Sequence, residues 1–175
     1  MTTRTEPDTD VAEAAPDSRQ WAWLADTYWY VPEAYLPAIR QTNLRKARTT
    51  TVQDQTVWWI QGFENGYLTG RTAISTDGGD FTYYTLLGSV TPDGAVLLSF
   101  SPEDASVTSA TDRPTTGAGR MVRFQGAWAF LMQMISGANA VAMAHWAYMV
   151  QATPDSAAWT SLPGVPDTGV GDVFS

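Results

Sequence analysis

A chain of 175 residues is long enough for one domain with a sizeable core. With no Cys and a single His it excludes disulfide frameworks, thiolate nucleophiles and the common Cys/His metal sites. A net charge of −8 and a pI near 4.4 oppose general binding to nucleic acid phosphates, so no nucleic acid partner is expected. What the composition supplies is apolar bulk, 8 Trp, 7 Tyr and 6 Met, much of it in hairpin-spaced segments.

Residues 1–18 carry Glu6, Asp8, Asp10, Glu13 and Asp17 with Pro7 and Pro16, too little apolar surface to offset the entropy of ordering. A flexible acidic tail is the expectation, followed by one domain over 19–175. The tail lacks the apolar core of a signal peptide and no run of 18 apolar residues follows, which points to a cytoplasmic protein without a membrane partner. Residues 19–41 read as a cap or lid. Asp17 or Ser18 can cap a short helix through Trp21, Trp23, Tyr28 and Trp29 that ends before Pro32, and Pro32 and Pro37 make Val31 to Gln41 an irregular connection or one helical turn. These aromatics either plug one end of a closed sheet or move as a lid. Arg40, Arg45, Lys46 and Arg48 form a short basic cluster that reads as a solvated strand or turn edge.

From Thr49 onward turn signals recur at strand-length intervals. Thr51 to Phe63 and Tyr67 to Ser75 flank Asn65-Gly66, Phe81 to Val90 follows Asp77-Gly78-Gly79-Asp80, and Ala95 to Ser101 follows Pro92-Asp93-Gly94. Pro102 to Thr116 reads as a long surface loop closed by Gly117 and Gly119. Strands are expected at Met121 to Phe124, Ala127 to Ile135 and Val141 to Ala152, with Gln125-Gly126 either a turn or a bulge. The prolines of the 159–175 extension exclude a central strand, so it packs across the barrel through Trp159, Leu162 and Phe174. The fold expected is all-β, a single antiparallel up-and-down barrel of about eight strands, with a packed sandwich as its rival.

Period-two alternation puts Trp128, Phe130, Met132 and Met134 on one face of their strand. The strand after it is apolar on both faces, so the sheet needs two covers: closure provides one, and the N-terminal segment, the C-terminal tail or a homodimer partner the other. Thioethers beside aromatic rings make an adaptable wall for an apolar small molecule, and Trp59 joins the candidate binding residues. Polar groups within strands, Gln61, Arg71, Tyr83 and Gln133, can donate to a carbonyl or enolate. His145 carries the side-chain type best suited to general acid or base work near neutral pH, although a satisfied structural His is the plainer reading. The acids lie in turns (Asp77, Asp80, Asp93), in the long loop (Glu103, Asp104, Asp112) or in the tail, and no pair suits hydrolysis. No metal and no cofactor is expected.

Gly79 to Gly94 followed by an apolar strand, and Thr116-Gly-Ala-Gly-Arg120-Met-Val-Arg-Phe-Gln-Gly126, resemble the allene-oxide-cyclase-like (calycin-type) barrels. Within that group they are similar to the bacterial cyclases that close spirotetronate or spirotetramate rings by intramolecular [4+2] cycloaddition. The likeness covers about 60 residues and leaves out the long polar loop and the C-terminal extension. It implies a cofactor-independent cyclase that folds a linear unsaturated polyketide in an apolar barrel capped by the N-terminal segment, with Tyr83 in the matched segment as a donor and with Trp128, Phe130, Met132 and Met134, after the matched glycines, as wall. The alternatives are a non-catalytic carrier or sensor of the lipocalin or avidin kind, and a barrel with a filled core and only a protein-interaction role.

Overall fold

The computed structural model describes residues 17–34, 37–42, 48–103, 113–138 and 141–175. The acidic stretch 1–16, Arg45 and Lys46, the loop acids Asp104 and Asp112, and Asn139 lie outside them. Nine strands follow in chain order: β1 (Thr27–Tyr30), β2 (Pro37–Thr42), β3 (Arg48–Glu64), β4 (Tyr67–Thr76), β5 (Thr82–Val90), β6 (Ala95–Pro102), β7 (Arg113–Phe124), β8 (Ala127–Ala138) and β9 (Val141–Ala152). From β3 to β9 each strand pairs antiparallel with the next, and the sheet closes because β1 and β2, end to end, both lie between β9 and β3. Nine strands therefore fill the eight positions of a closed antiparallel barrel, and a sandwich is excluded.

The turns have the conformations their sequences require. Asn65-Gly66, Asp77-Gly78 and Gln125-Gly126 each place two successive residues at positive φ, the twist-matched geometry of a tight hairpin. Gln125-Gly126 is thus a turn, not a bulge. A bulge does lie between Ile60 and Gly62, where the register of β3 against β4 shifts at Gln61, and the register of β7 against β8 shifts between Arg113 and Thr116. Three expectations are corrected. The segment Val31 to Gln41 contains β2, with Pro37 at its first position, where a missing N–H is tolerated. β7 begins at Arg113, inside the expected loop, and the helix is a 3-10 turn over Ser18–Leu24 that gives way to β1 well before Pro32. The Asp17 carboxylate caps it by accepting from the Arg19 N–H at 2.8 Å.

This 3-10 turn closes one end of the barrel. Trp21 and Leu24 are buried there, the Trp21 indole donates to the Thr91 carbonyl at 2.9 Å, and its ring meets Trp128 edge-on at 4.9 Å. Below it the interior is filled. Phe130 lies between Trp29 (4.7 Å, 82°) and Trp58 (5.3 Å, 72°), all three fully buried, with Met132 and Met149 beside them. Edge-to-face pairs of this kind add about 0.5–1.5 kcal/mol each beyond burial.

The C-terminal extension covers one outer face. Ala158, Leu162, Val170 and Val173 pack on Val57 and Ala73 of β3 and β4, and the Gln55 side-chain amide donates to the carbonyls of Pro163 and Val31. That is the second cover which β1, β3 and β4 require. Elsewhere Leu87, Leu97, Leu131, Ile135 and Trp146 stay exposed on the outside.

Gly117 and Gly119 lie within β7, on its inner face, opposite Met134 and Met132 of β8. A methyl group at Gly119 would collide with the Leu131 carbonyl, which is backbone and cannot yield. At Gly117 it would meet mainly the thioether ends of Met134 and Met132. Gly119→Ala is therefore expected to cost about 3 kcal/mol, the upper end of overpacking, and Gly117→Ala about 1 kcal/mol, read as denaturant midpoints at constant m. Equal costs would show that the β7–β8 approach is not what requires glycine.

Candidate functional site

At the end opposite Trp21 the interior is hollow. A cavity of about 120 Å³ lies among Thr56 of β3, Thr72, Ile74 and Thr76 of β4, Thr82 and Tyr84 of β5, Phe100 of β6, Thr115 of β7, Met134 and Ser136 of β8, and Met143 and His145 of β9. The lining is mainly hydroxyl-bearing, with four apolar side chains among them. An empty apolar cavity near 150 Å³ admits a benzene ring, whereas drug-sized ligands need about 300 Å³ or more. The cavity therefore holds one ring-sized group, and the rest of a larger ligand must lie at the open end.

His145 is the lining residue with acid–base capacity. Its Nε2 lies 3.3 Å from Oδ2 of Asp54, and the two side chains are 10% and 3% exposed. They come from β9 and β3, which do not pair with each other. The pairing of β2 reaches only Gln53 on β3 and Ala144 on β9, and that of β1 starts at Val57 and Val150, so the imidazole and carboxylate meet just past the end of β2, where neither strand pairs between them. The Thr56 hydroxyl approaches the same Asp54 oxygen at 3.4 Å. Both contacts are longer than tight charge-assisted bonds, a common state of catalytic pairs before a ligand is bound.

Burial pushes the Asp54 carboxyl above its ordinary value, opposed in part by the neighbouring His145 and then by the Thr56 hydroxyl. Among the described residues its Oδ1 has no partner, and neither has the indole N–H of Trp58. These two orphaned buried atoms belong to the residues two positions either side of Thr56, the β3 residue that lines the cavity, on the same inner face. Each costs about 1–3 kcal/mol of unmet desolvation, and their clustering at one cavity sets this region apart from the filled half of the barrel.

No family model, curated protein or solved structure matches this chain. Among the described residues there is no group of His, Cys, Asp and Glu side chains able to hold a metal, and no helix long and apolar enough to cross a membrane.

The residues singled out from sequence divide three ways. His145 and Met134 line the cavity. Phe130 and Met132 are core filling on the inner face, and Trp128 stands at the closed end beneath the Arg123 guanidinium (4.2 Å), away from the cavity. Trp59, Gln61, Arg71, Tyr83 and Gln133 are not inside, because the odd-numbered positions of β3, β4, β5 and β8 face outward and Gln61 sits at the bulge. Three of these meet again on the outside. Arg71 pairs with Glu103 at 2.6 and 2.8 Å, and its guanidinium lies 5.4 Å from the Phe174 ring and 5.8 Å from that of Tyr83. Trp59 lies 6.0 Å from the same Phe174 and stacks on Tyr28 at 5.5 Å. This cluster fastens the C-terminal extension.

Sequence reasoning missed Asp54 and Tyr84. Tyr84 differs from Tyr83 by one position and hence by one face of β5. Its signal was the phase shared with Leu86 and Val90, both buried.

Proposed function

We propose that the protein is a cofactor-independent cyclase that takes the oxygen-bearing head of a conjugated, unsaturated substrate into the cavity and promotes ring closure there. The observation that carries the reading is His145, backed by Asp54, at the wall of an internal cavity otherwise lined by hydroxyl groups and four apolar side chains. His145 Nδ1, with no partner among the described residues, accepts or returns a proton at an enolisable carbonyl. Asp54 behind it steadies the imidazolium, and the site hydroxyls polarise the oxygen.

Intramolecular [4+2] cycloaddition is the ring closure that the resemblance of residues 79–94 and 116–126 implies. Such a step is isomeric overall, so the proton that His145 takes in forming the conjugated enolate is returned to the product, and the protein supplies that transfer together with orientation and polarisation. Orientation can contribute about 7–11 kcal/mol in favourable cases. With room for one ring-sized group, this barrel fixes the activated head and leaves the remaining chain at the open end.

The test is incubation with a linear polyene tetronate or tetramate and separation of products by mass-detected chromatography. One stereoisomer of unchanged mass, formed faster than in buffer, is the expected result. Saturable binding of the polyene with no isomer formed would instead mark a carrier of the same ligand, and neither binding nor turnover would remove both readings.

A further inference from the structure

The described arginines are not equivalent. Arg19 pairs with Asp17, Arg71 with Glu103, Arg123 with the Gly126 carbonyl and the Trp128 ring, and Arg120 lies in the field of Asp93. Arg40 and Arg48 have no hydrogen bond or ion pair with any described residue. In a chain of net charge −8, two cations without a carboxylate partner are conspicuous, and their place in the fold gives them a purpose.

Both belong to the β2–β3 pair at the open end of the barrel. The β3 residues from Arg48 to Gln53 pair with β2 but precede the first β4 partner, Asp54, so this pair stands beyond the rest of the rim. Arg40 is opposite Met143, which lines the cavity, and opposite Thr50 on its other side. Arg48 is opposite Thr42 and shares its phase along β3 with Val52, Asp54 and Thr56, all buried. Both arginines therefore occupy the inward phase. Arg40 lies one inward-facing residue above His145, about 7 Å along the strand. Of the described acids near this end, Asp77 accepts from the Gln53 backbone N–H at 2.9 Å, Glu103 pairs with Arg71 and Asp54 lies against His145, and no described acid forms an ion pair with Arg40 or Arg48.

We propose that Arg40 and Arg48 form an anion-recognition rim, and that the ligand of this barrel carries a carboxylate or phosphate about 7 Å from the group that enters the cavity. Guanidinium forks match both anions in geometry. The inference rests on the cavity being the substrate site and specifies the substrate class: a conjugated acid or phosphate monoester, held by its anion at the mouth with its reactive head against His145.

The test uses small probes in which a phenyl ring fills the cavity. Cinnamate, its neutral amide cinnamamide and 2-phenylethyl phosphate are titrated into isotope-labelled full-length protein and followed by amide shifts in nuclear magnetic resonance spectra. The anions are expected to bind about tenfold more tightly than cinnamamide, with a preference that shrinks as salt screens the arginines. The double variant Arg40→Gln/Arg48→Gln loses the preference while its affinity for cinnamamide is unchanged, which shows that the cavity is intact. The order of the two anions identifies the natural group. Equal affinities of anion and amide, or a preference that survives in the double variant, would overturn the rim and leave the cavity reading standing. Failure of all three probes to bind would overturn both.

Discussion

Replacing His145 with glutamine is expected to lower turnover of the isomerisation by about 10²–10⁴-fold, the usual contribution of a positioned acid or base, while leaving the barrel folded. Glutamine keeps polar atoms near Asp54 but cannot exchange a proton. Asp54→Asn is expected to fall within the same range, and it carries a second readout that needs no substrate. Burial raises the Asp54 carboxyl above the ordinary value it keeps in the unfolded chain. Between that unfolded value and the raised folded one, the folded protein holds a proton that the unfolded chain has released. The stability from protonated Asp54 is thus complete below this window and is lost as pH rises through it. Asparagine resembles the protonated acid and has no such loss, so the melting temperature of Asp54→Asn, relative to the parent, should climb as pH rises from the ordinary carboxylate range through the raised one. A variant less active yet relatively more stable at neutral pH is the signature of a carboxylate kept for chemistry. A difference in melting temperature that does not change with pH would show that Asp54 ionises as freely in the barrel as in the open chain, and the pair would lose its assigned role.

The barrel was legible because its turns announce themselves. Asn65-Gly66, Asp77-Gly78 and Pro92-Asp93-Gly94 leave few options for the chain between them, and Val96, Leu98 and Phe100 alternate cleanly with outward residues. The signals failed where a strand is short or glycine-rich. β1 and β2 share one position in the sheet, and the prolines between them look like a disrupted connection when read locally. The start of β7 hides its alternation because its inward set is Thr115, Gly117 and Gly119, residues whose smallness is set by Met132 and Met134 on the next strand. Such a requirement is tertiary and leaves no periodic trace.

The site was less legible than the fold for a related reason. In β5, with Tyr83 and Tyr84 adjacent, either face can carry a tyrosine, and only the closure of the barrel decides which one meets the interior. Asp54 lies in Val52-Gln53-Asp54-Gln55-Thr56, a polar stretch indistinguishable from a solvated strand end until β2 and the C-terminal extension cover it. Gln55, its neighbour, is turned outward yet is also buried, engaged with Val31 and Pro163. His145 was visible as the chain's one imidazole, but its partner Asp54 lies 91 positions earlier in the sequence. No local pattern links them.

The large aromatic and thioether side chains, which sequence alone assigns to one wall, are expected to separate into two classes when truncated. Phe130→Ala removes a fully buried ring from between Trp29 and Trp58 and should cost about 3–5 kcal/mol in a denaturant titration, because neither indole can move into the gap without breaking its own packing. Trp29 is additionally tied by its N–H to the Thr27 hydroxyl at 2.8 Å. Met134→Ala deletes a side chain that already borders empty space and faces Gly117. Its cost should lie near 2 kcal/mol, the low end for such truncations, and the enlarged cavity should admit probes bulkier than a single phenyl ring, for example 2-naphthoate in place of benzoate. Phe130→Ala should not gain that tolerance, since the space it opens lies deeper, behind Met132 and Met134. If Phe130→Ala were instead cheap and Met134→Ala left probe size limits unchanged, the hollow and filled halves of the barrel would be misassigned, and the ligand would have to be sought between the indoles at the closed end.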